Sequence, residues 1–212
     1  MTLSFPYALD FLANCLVGDR IPLDLQRFDE MSGSGDGRFW SAAMAQPLWT
    51  ASYSLYAKQA AHSRELNAKV RALDGAARTF YWADPYYDGP ASGVTAGLNS
   101  VTVSGIRTDR GAISLSGLPP GFVLSAGDRL TIQYGSGRVY FGEFSEGATA
   151  GTLGNIADAR ELRPYLPFGI SVGVTVRLVR PFFKAMVTEF TPFASYRGRW
   201  GDSAAITILQ KP

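Results

Sequence analysis

Helical periodicity occurs once in this chain, over residues 61–75 (AHSRELNAKVRALDG), and nearly every other patterned stretch alternates with period two. In that segment Leu66, Val70 and Leu73 recur at spacings of four and three. Arg64, Glu65, Ala68 and Arg71 fall on the opposite side, and Lys69 flanks the apolar stripe. Ser63 is the expected N-cap and Gly75 the expected stop. A single short helix with one apolar side needs a sheet to bury that side. The chain is therefore expected to be mainly β (α+β), with one helix packed on a sheet.

The strands predicted around the helix fall into two groups. IPLDLQRFDEM (21–31) places Leu23, Leu25 and Arg27 on one side and predicts a strand, followed by a flexible turn SGSGDG (32–37). PLWTASYSLY (47–56) sets Trp49, Ala51, Tyr53 and Leu55 against Thr50, Ser52 and Ser54, the pattern of a half-buried strand. Thr79 to Trp82 predicts a strand returning from the helix. From about 100 onward, SVTVSGI, GAISLSGL, DRLTIQY, RVYFGEF and GISVGVTVRLV each predict a strand, and Gly135-Ser136-Gly137 joins two of them in a hairpin. In the last of these Ile170, Val172, Val174, Val176 and Leu178 are expected on one face. FFKAMVTEF (182–190) and WGDSAAITILQ (200–210) predict two more strands returning to the first sheet. This order implies an insertion: residues 1–95 and 179–212 form a discontinuous β-domain with the helix, and 96–178 an inserted small β-barrel or sandwich.

Composition narrows the function classes. Lys and Arg (20) exceed Asp and Glu (18) by only two and form no block, so nucleic-acid recognition has no electrostatic footprint. One cysteine, Cys15, and one histidine, His62, rule out an intrachain disulfide and the usual zinc sites within one chain. Cys15 lies in the apolar run LANCLVG, where a buried inert thiol is expected, and His62 precedes the expected N-cap with no nucleophile motif around it. The first twenty residues lack the basic start and small-residue cleavage site of a signal peptide, and no apolar run is long enough for a membrane span. The carboxylates Asp84, Asp88, Asp109, Asp128, Glu143 and Glu146 sit in no catalytic signature; GSGDG lacks the following Lys and helix of a phosphate loop, and GATAGTLG lacks its glycine spacing and preceding strand. No enzyme, metal or cofactor is expected.

The densest chemistry is aromatic. RTFYWADPYYDGP (78–90) holds five aromatic residues among the eight from Phe80 to Tyr87. With Trp49, the residues Phe80, Trp82, Tyr86 and Tyr87 are the candidates for either an assembly interface or a sugar platform. A platform would stack sugars on Trp82, Tyr86 and Tyr87 beside Asp84 and Asp88. The interface reading turns Phe80 and Trp82 inward beneath the helix and uses the tyrosines at a packing junction. It is favoured because Tyr and Trp are enriched in interfaces and the stretch lies between two regions that must be joined.

Several segments in order resemble a known family: FPYAL, LDLQRFDEMSGSGDGR, PLWTASYSL, SRELNAKVRALDGAARTFYWADP, LSGLPPGFVLSAGDRLTI, GATAG, RPYLP and RPFFKAM. Together they are similar to distal tail (tail-tip, baseplate) proteins of long-tailed alphaproteobacterial phages and related prophages, over residues 5–190. Arg129 departs from that pattern, standing directly after Gly127-Asp128 where an aromatic residue would be expected. The resemblance implies a structural virion protein made in the host cytoplasm, with a ring-forming domain, usually hexameric, and a peripheral β-domain. It further implies contacts with the tail tube protein, the tail hub protein, receptor-binding or fibre proteins and, through the outer domain, a host-surface glycan. A carbohydrate-binding module assisting adsorption is the alternative function.

Overall fold

The computed structural model describes residues 3–9, 11–12, 16–20, 23–57, 59–194 and 203–212, with backbone alone for 16–20 and 34. The protein is mainly β with one helix. It divides into two compact units: Met1–Tyr81 with Lys184–Lys211, and Trp82–Phe183. The sequence boundaries at 95/96 and 178/179 stand beside these as the edges inferred from texture alone.

The first unit is built on a sheet of β1 (Leu16–Arg20), β2 (Asp24–Ser34), β3 (Arg38–Tyr56), β4 (Phe80–Ala83), β13 (Phe182–Thr191) and β14 (Ala204–Gln210). Its order is β1-β3-β14-β13-β4, with β2 paired to β3 beside that path. The alternation in 47–56 has its expected result: Trp49, Ala51, Tyr53 and Leu55 are buried, while Thr50, Ser52 and Ser54 are half-exposed. The polar face is occupied, since Thr50 Oγ1 donates to the Ile208 carbonyl and Ser52 shares a hydrogen bond with Thr207. Helix α1 (Ala60–Arg71) buries Leu66, Asn67 and Val70 and exposes Arg64, Glu65, Ala68 and Arg71, as its periodicity requires. Its ends differ from expectation. The N-cap is Gln59, because Ala60 and Ala61 are strong helix formers and draw the start forward. Ser63 therefore lies one turn inside, its hydroxyl donating to the Ala60 carbonyl. The helix ends at Arg71, four residues before Gly75, which sits in the following turn. Asn67 then ties the chain after β13: its amide donates to the Phe193 carbonyl at 3.2 Å and accepts the Phe193 N–H at 3.1 Å.

Strand β3 starts nine residues before the predicted 47, and β2 runs through Ser34, so the expected loop 32–37 shrinks to the turn at 35–37. The pair forms a long ribbon. Strand β14 accompanies β3 only as far as Leu209 opposite Thr50, and the Gln210 side chain takes the Trp49 N–H. Pro47, without an N–H to offer a ladder, follows at that point. Beyond it, among the described residues, β3 pairs with β2 alone, from Phe28–Ala45 out to Ser34–Arg38, with irregular register on either side of Phe28.

The second unit holds a six-stranded sheet of β5 (Thr102–Ile106), β6 (Ala112–Ser116), β8 (Arg129–Tyr134), β9 (Arg138–Phe144), β11 (Ile156–Arg163) and β12 (Val176–Arg177). Two short strands, β7 (Val123–Leu124) and β10 (Ala148–Thr149), pair separately. The sheet order β12-β8-β9-β11-β6-β5 nearly closes into a barrel, for Thr102 bridges Thr175 and Val103 exchanges backbone hydrogen bonds with Gly173 and Val174. A continuous core including Val103, Ile113, Leu115, Leu130, Ile132 and Phe144 fills it. The predicted strand 170–178 is corrected: turns at 168–169 and 172–173 leave only Val176–Arg177 in the sheet, and Val172 points out at 58% exposure. Strand β11 was absent from the sequence reading.

Gly154 has φ +69°, and a Cβ there would strike the Leu118 backbone, whereas Gly121 at φ +74° faces open space. Gly121→Ala should lower unfolding free energy by about 1 kcal/mol through backbone strain alone. Gly154→Ala adds the clash, so the expected loss is about 3 kcal/mol or more in chemical denaturation. Equal losses would show that the backbone yields at Gly154.

Candidate functional site

The aromatic stretch 80–87 carries the chain from the first unit into the second, and its five candidate neighbours separate by environment. Phe80 is fully buried in the first unit, with Phe11 edge-on at 5.4 Å. Trp49 (4% exposed) and Trp82 (6%) are also interior. Tyr87 is half-buried, and only Tyr86 keeps about half its surface in solvent (48%). The structure thus does not gather the five into one surface.

What fixes the tyrosine end is Arg129. Its guanidinium donates to Asp84 Oδ2 at 2.6 Å and to Glu143 Oε2 at 3.3 Å, and lies 5.1 Å from the Tyr87 ring centre. Its backbone N–H donates to the Tyr87 hydroxyl at 2.8 Å. Asp84 Oδ1 accepts the Tyr86 N–H, closing a local turn. Next to Arg129, the buried carboxylate of Asp128 accepts the N–H groups of Ala91 and Ser125, both at 2.8 Å. Asp84, Asp128 and Glu143 are thereby engaged as structural acceptors, and Asp109 is engaged by Arg107 and the Gly111 N–H. The Arg107 hydrogen bonds, with the Gly111 N–H, hold Asp109 down at about 2. His62 is a half-exposed helix residue, and Cys15 lies outside the described residues. Among the described residues no three of His, Cys, Asp and Glu cluster as a metal set, and no helix is long and apolar enough to cross a membrane.

A cluster of exposed large apolar groups lies elsewhere, in the ribbon. Met31 (69%), Phe39 (72%), Trp40 (71%) and Met44 (68%) are all exposed. Opposed residues share a face, so Met31–Ser41 and Gly33–Phe39 lie on one side and Glu30–Ala42 and Ser32–Trp40 on the other. Each face carries an aromatic ring, and Phe39 lies directly over Gly33. Buried aromatics cover roughly 150–250 Å² each, so with the methionines the ribbon bares about 500 Å² of apolar surface. The sequence carried the signal: in RFWSAAMAQP apolar residues occupy both parities, which a strand with one wet face does not do. A second exposed pair, Tyr165 (50%) and Phe168 (86%), stands on the loop after β11. Arg110 braces that loop by donating to the carbonyls of Leu166, Pro167 and Ile170.

Two predictions concern the Arg129 cluster. Arg129→Met strands the Asp84 carboxylate, whose side chain is only 12% exposed, and should cost about 3 kcal/mol. Adding Asp84→Asn should recover part of that loss in a double-mutant cycle, and strict additivity would show the pair to be uncoupled. Burial pushes the Tyr87 phenol up to about 12, and Tyr140, buried with its hydroxyl on the Pro164 carbonyl, is raised as well. Below pH of about 10 both folded and unfolded chains keep these protons, so stability is level there. Above it the unfolded chain ionises first and stability falls until the folded groups follow. Thermal unfolding from pH 9 to 12 should therefore show a decline that is shallower in Tyr87→Phe than in wild type.

No protein-family model matches this chain, and no curated protein matches it in sequence.

Proposed function

We propose that the protein is a structural subunit of a phage tail tip, of the distal tail kind. In this role it is a non-enzymatic ring component that joins the tail tube to the hub and carries the receptor-binding apparatus, assembled in the host cytoplasm into the virion. The observation that carries the reading is the β2–β3 ribbon. A two-stranded ribbon is marginal in water on its own, and this one presents large apolar side chains on both faces. Repeated copies around a ring would cover it by a head-to-tail contact, which uses two different surfaces of each subunit. The ordered segments resembling tail-tip proteins supply the identity of the ring, and the second, barrel-like unit suits the peripheral domain that such proteins carry.

Light scattering across a concentration series tests this directly. Wild-type protein should show a discrete oligomer, six copies by the resemblance. Phe39→Ser with Trp40→Ser should shift it to monomer with the far- and near-ultraviolet circular dichroism retained. Each aromatic anchor is expected to contribute about 2 kcal/mol, or roughly 30-fold in dissociation constant per interface. Wild type and variant both monomeric at every concentration would remove the support that the ribbon gives.

A further inference from the structure

A cavity of ≈ 770 Å³ opens on the outside of the second unit's barrel, along β12 and β8. The size falls within the range of small-molecule sites. Its wall is set by register. Val176 pairs with Ile132 and Arg177 with Thr131, so Thr175 stands opposite Gln133, and all four outward residues, Thr131, Gln133, Thr175 and Arg177, share one face. Their strand neighbours Val176 and Ile132 point into the core. Asn99 closes one side of the cavity, and Val179 and Phe182 form an apolar end.

The electrostatics of this wall are unbalanced. Three other arginines of this unit meet a carboxylate or a set of carbonyls: Arg129 has Asp84 and Glu143, Arg107 has Asp109 and Glu161, and Arg110 has three carbonyls. Arg177 has neither. Its Nε donates to the Val179 carbonyl at 2.8 Å and its guanidinium lies 5.1 Å from the Phe182 ring centre. Among the described residues, no carboxylate lies within ion-pair distance of Arg177 or of its neighbour Arg180. Desolvation and the nearby Arg180 hold the Arg177 guanidinium below its usual range. With Nε engaged, the two terminal nitrogens remain as a parallel pair of donors, the geometry that receives a carboxylate end-on. Thr131 is already spent, because it both donates to the Phe182 carbonyl and accepts the Phe182 N–H. Asn99, Gln133 and Thr175 are left to face the cavity with groups that both donate and accept, as hydroxyl recognition requires.

We infer that this cavity binds a small polyhydroxy carboxylate, with Arg177 taking the carboxylate and Asn99, Gln133 and Thr175 the hydroxyls. The ring or carbon stem of such a ligand rests on Val179 and Phe182. This site is separate from the ribbon and stands whether or not the protein assembles into a ring.

Isotope-labelled full-length protein titrated with sodium glucuronate tests the site, using the backbone amides of Gly173, Thr175 and Arg177 as reporters. Glucose serves as the neutral counterpart and acetate as the bare carboxylate. The expected result is saturable shifts with glucuronate, at least tenfold tighter than with either control. Arg177→Gln should reduce glucuronate to the level of glucose, while Gln133→Ala should reduce it towards acetate with the rest of the spectrum unchanged. Absence of saturation by glucuronate would overturn the site. Equal binding of glucose, acetate no weaker than glucuronate, or an unaltered response in a folded Arg177→Gln variant would overturn it equally.

Discussion

Strand β3 is the member on which the first unit depends, because it outlasts its partners. Over residues 50–55 it lies between β14 and its neighbours on the other edge, with Trp49, Ala51, Tyr53 and Leu55 anchored in the core. The helix packs through Leu66 and Val70, and Asn67 fastens the chain leaving β13. These contacts make the inner half of β3 a rigid root. Where Gln210 takes the Trp49 N–H, the ladder ends on one edge, and the outer half of β3 continues, among the described residues, with β2 alone. The ribbon therefore inherits its direction from a well-packed strand while burying little itself. Such an element keeps a defined base and a surface still open to a partner.

The second unit solves a different problem, that of holding a turn-rich, aromatic entrance segment in place. Residues 84–91 contain two prolines and a glycine and make no sheet. Their order comes from charge: Arg129 reaches Asp84, and Asp128 holds Ala91 by its N–H. The adjacent pair Asp128-Arg129 thus presents both signs to one segment from the start of β8. A partly buried ion pair contributes little over an apolar substitute of the same shape, yet losing one member is costly. The cluster accordingly acts more as a determinant of geometry than as a source of net stability. An aromatic residue at 129 would pack against Tyr87 but could not satisfy Asp84.

The legible parts of this fold were those where one face is wet and the other dry. The pattern of β3 from Trp49 to Leu55, the exposed and buried sides of α1, and the hairpin at Gly135–Gly137 all follow from period alone. Strand β11 escaped because its pairing with β6 slips between Ile156 and Arg160, and Arg160, Glu161 and Arg163 put charges on both of its faces. Neither alternation nor β-propensity survives that combination. The strand predicted over 170–178 erred in the opposite direction: its alternation is clear, but turns intervene and expel Val172. The aromatic candidates show the same limit. Composition drew attention to Phe80, Trp82, Tyr86 and Tyr87, of which only Tyr86 is exposed, whereas the barest rings are Phe39, Trp40 and Phe168, and density of aromatics says nothing of which are covered.

Among the described residues, two places that break local rules bear on what the chain meets. One is the ribbon, where Phe39 and Trp40 occupy both faces of a strand and are exposed among the described residues. The other is the outer wall of the barrel, where Arg177 and Arg180 lie close together with no acid paired to either among the described residues. A folded sequence is consistent across levels except where something outside the chain completes it. The two exceptions differ in kind. An apolar strip is completed by a surface that excludes water, which the proposed ring contact would supply. A partly desolvated guanidinium beside amides and a hydroxyl is completed by an anion that also hydrogen-bonds, and an apolar protein surface would desolvate it further. The same chain therefore carries one surface suited to assembly and another suited to a polar ligand, and the chemistry of each argues against exchanging their roles.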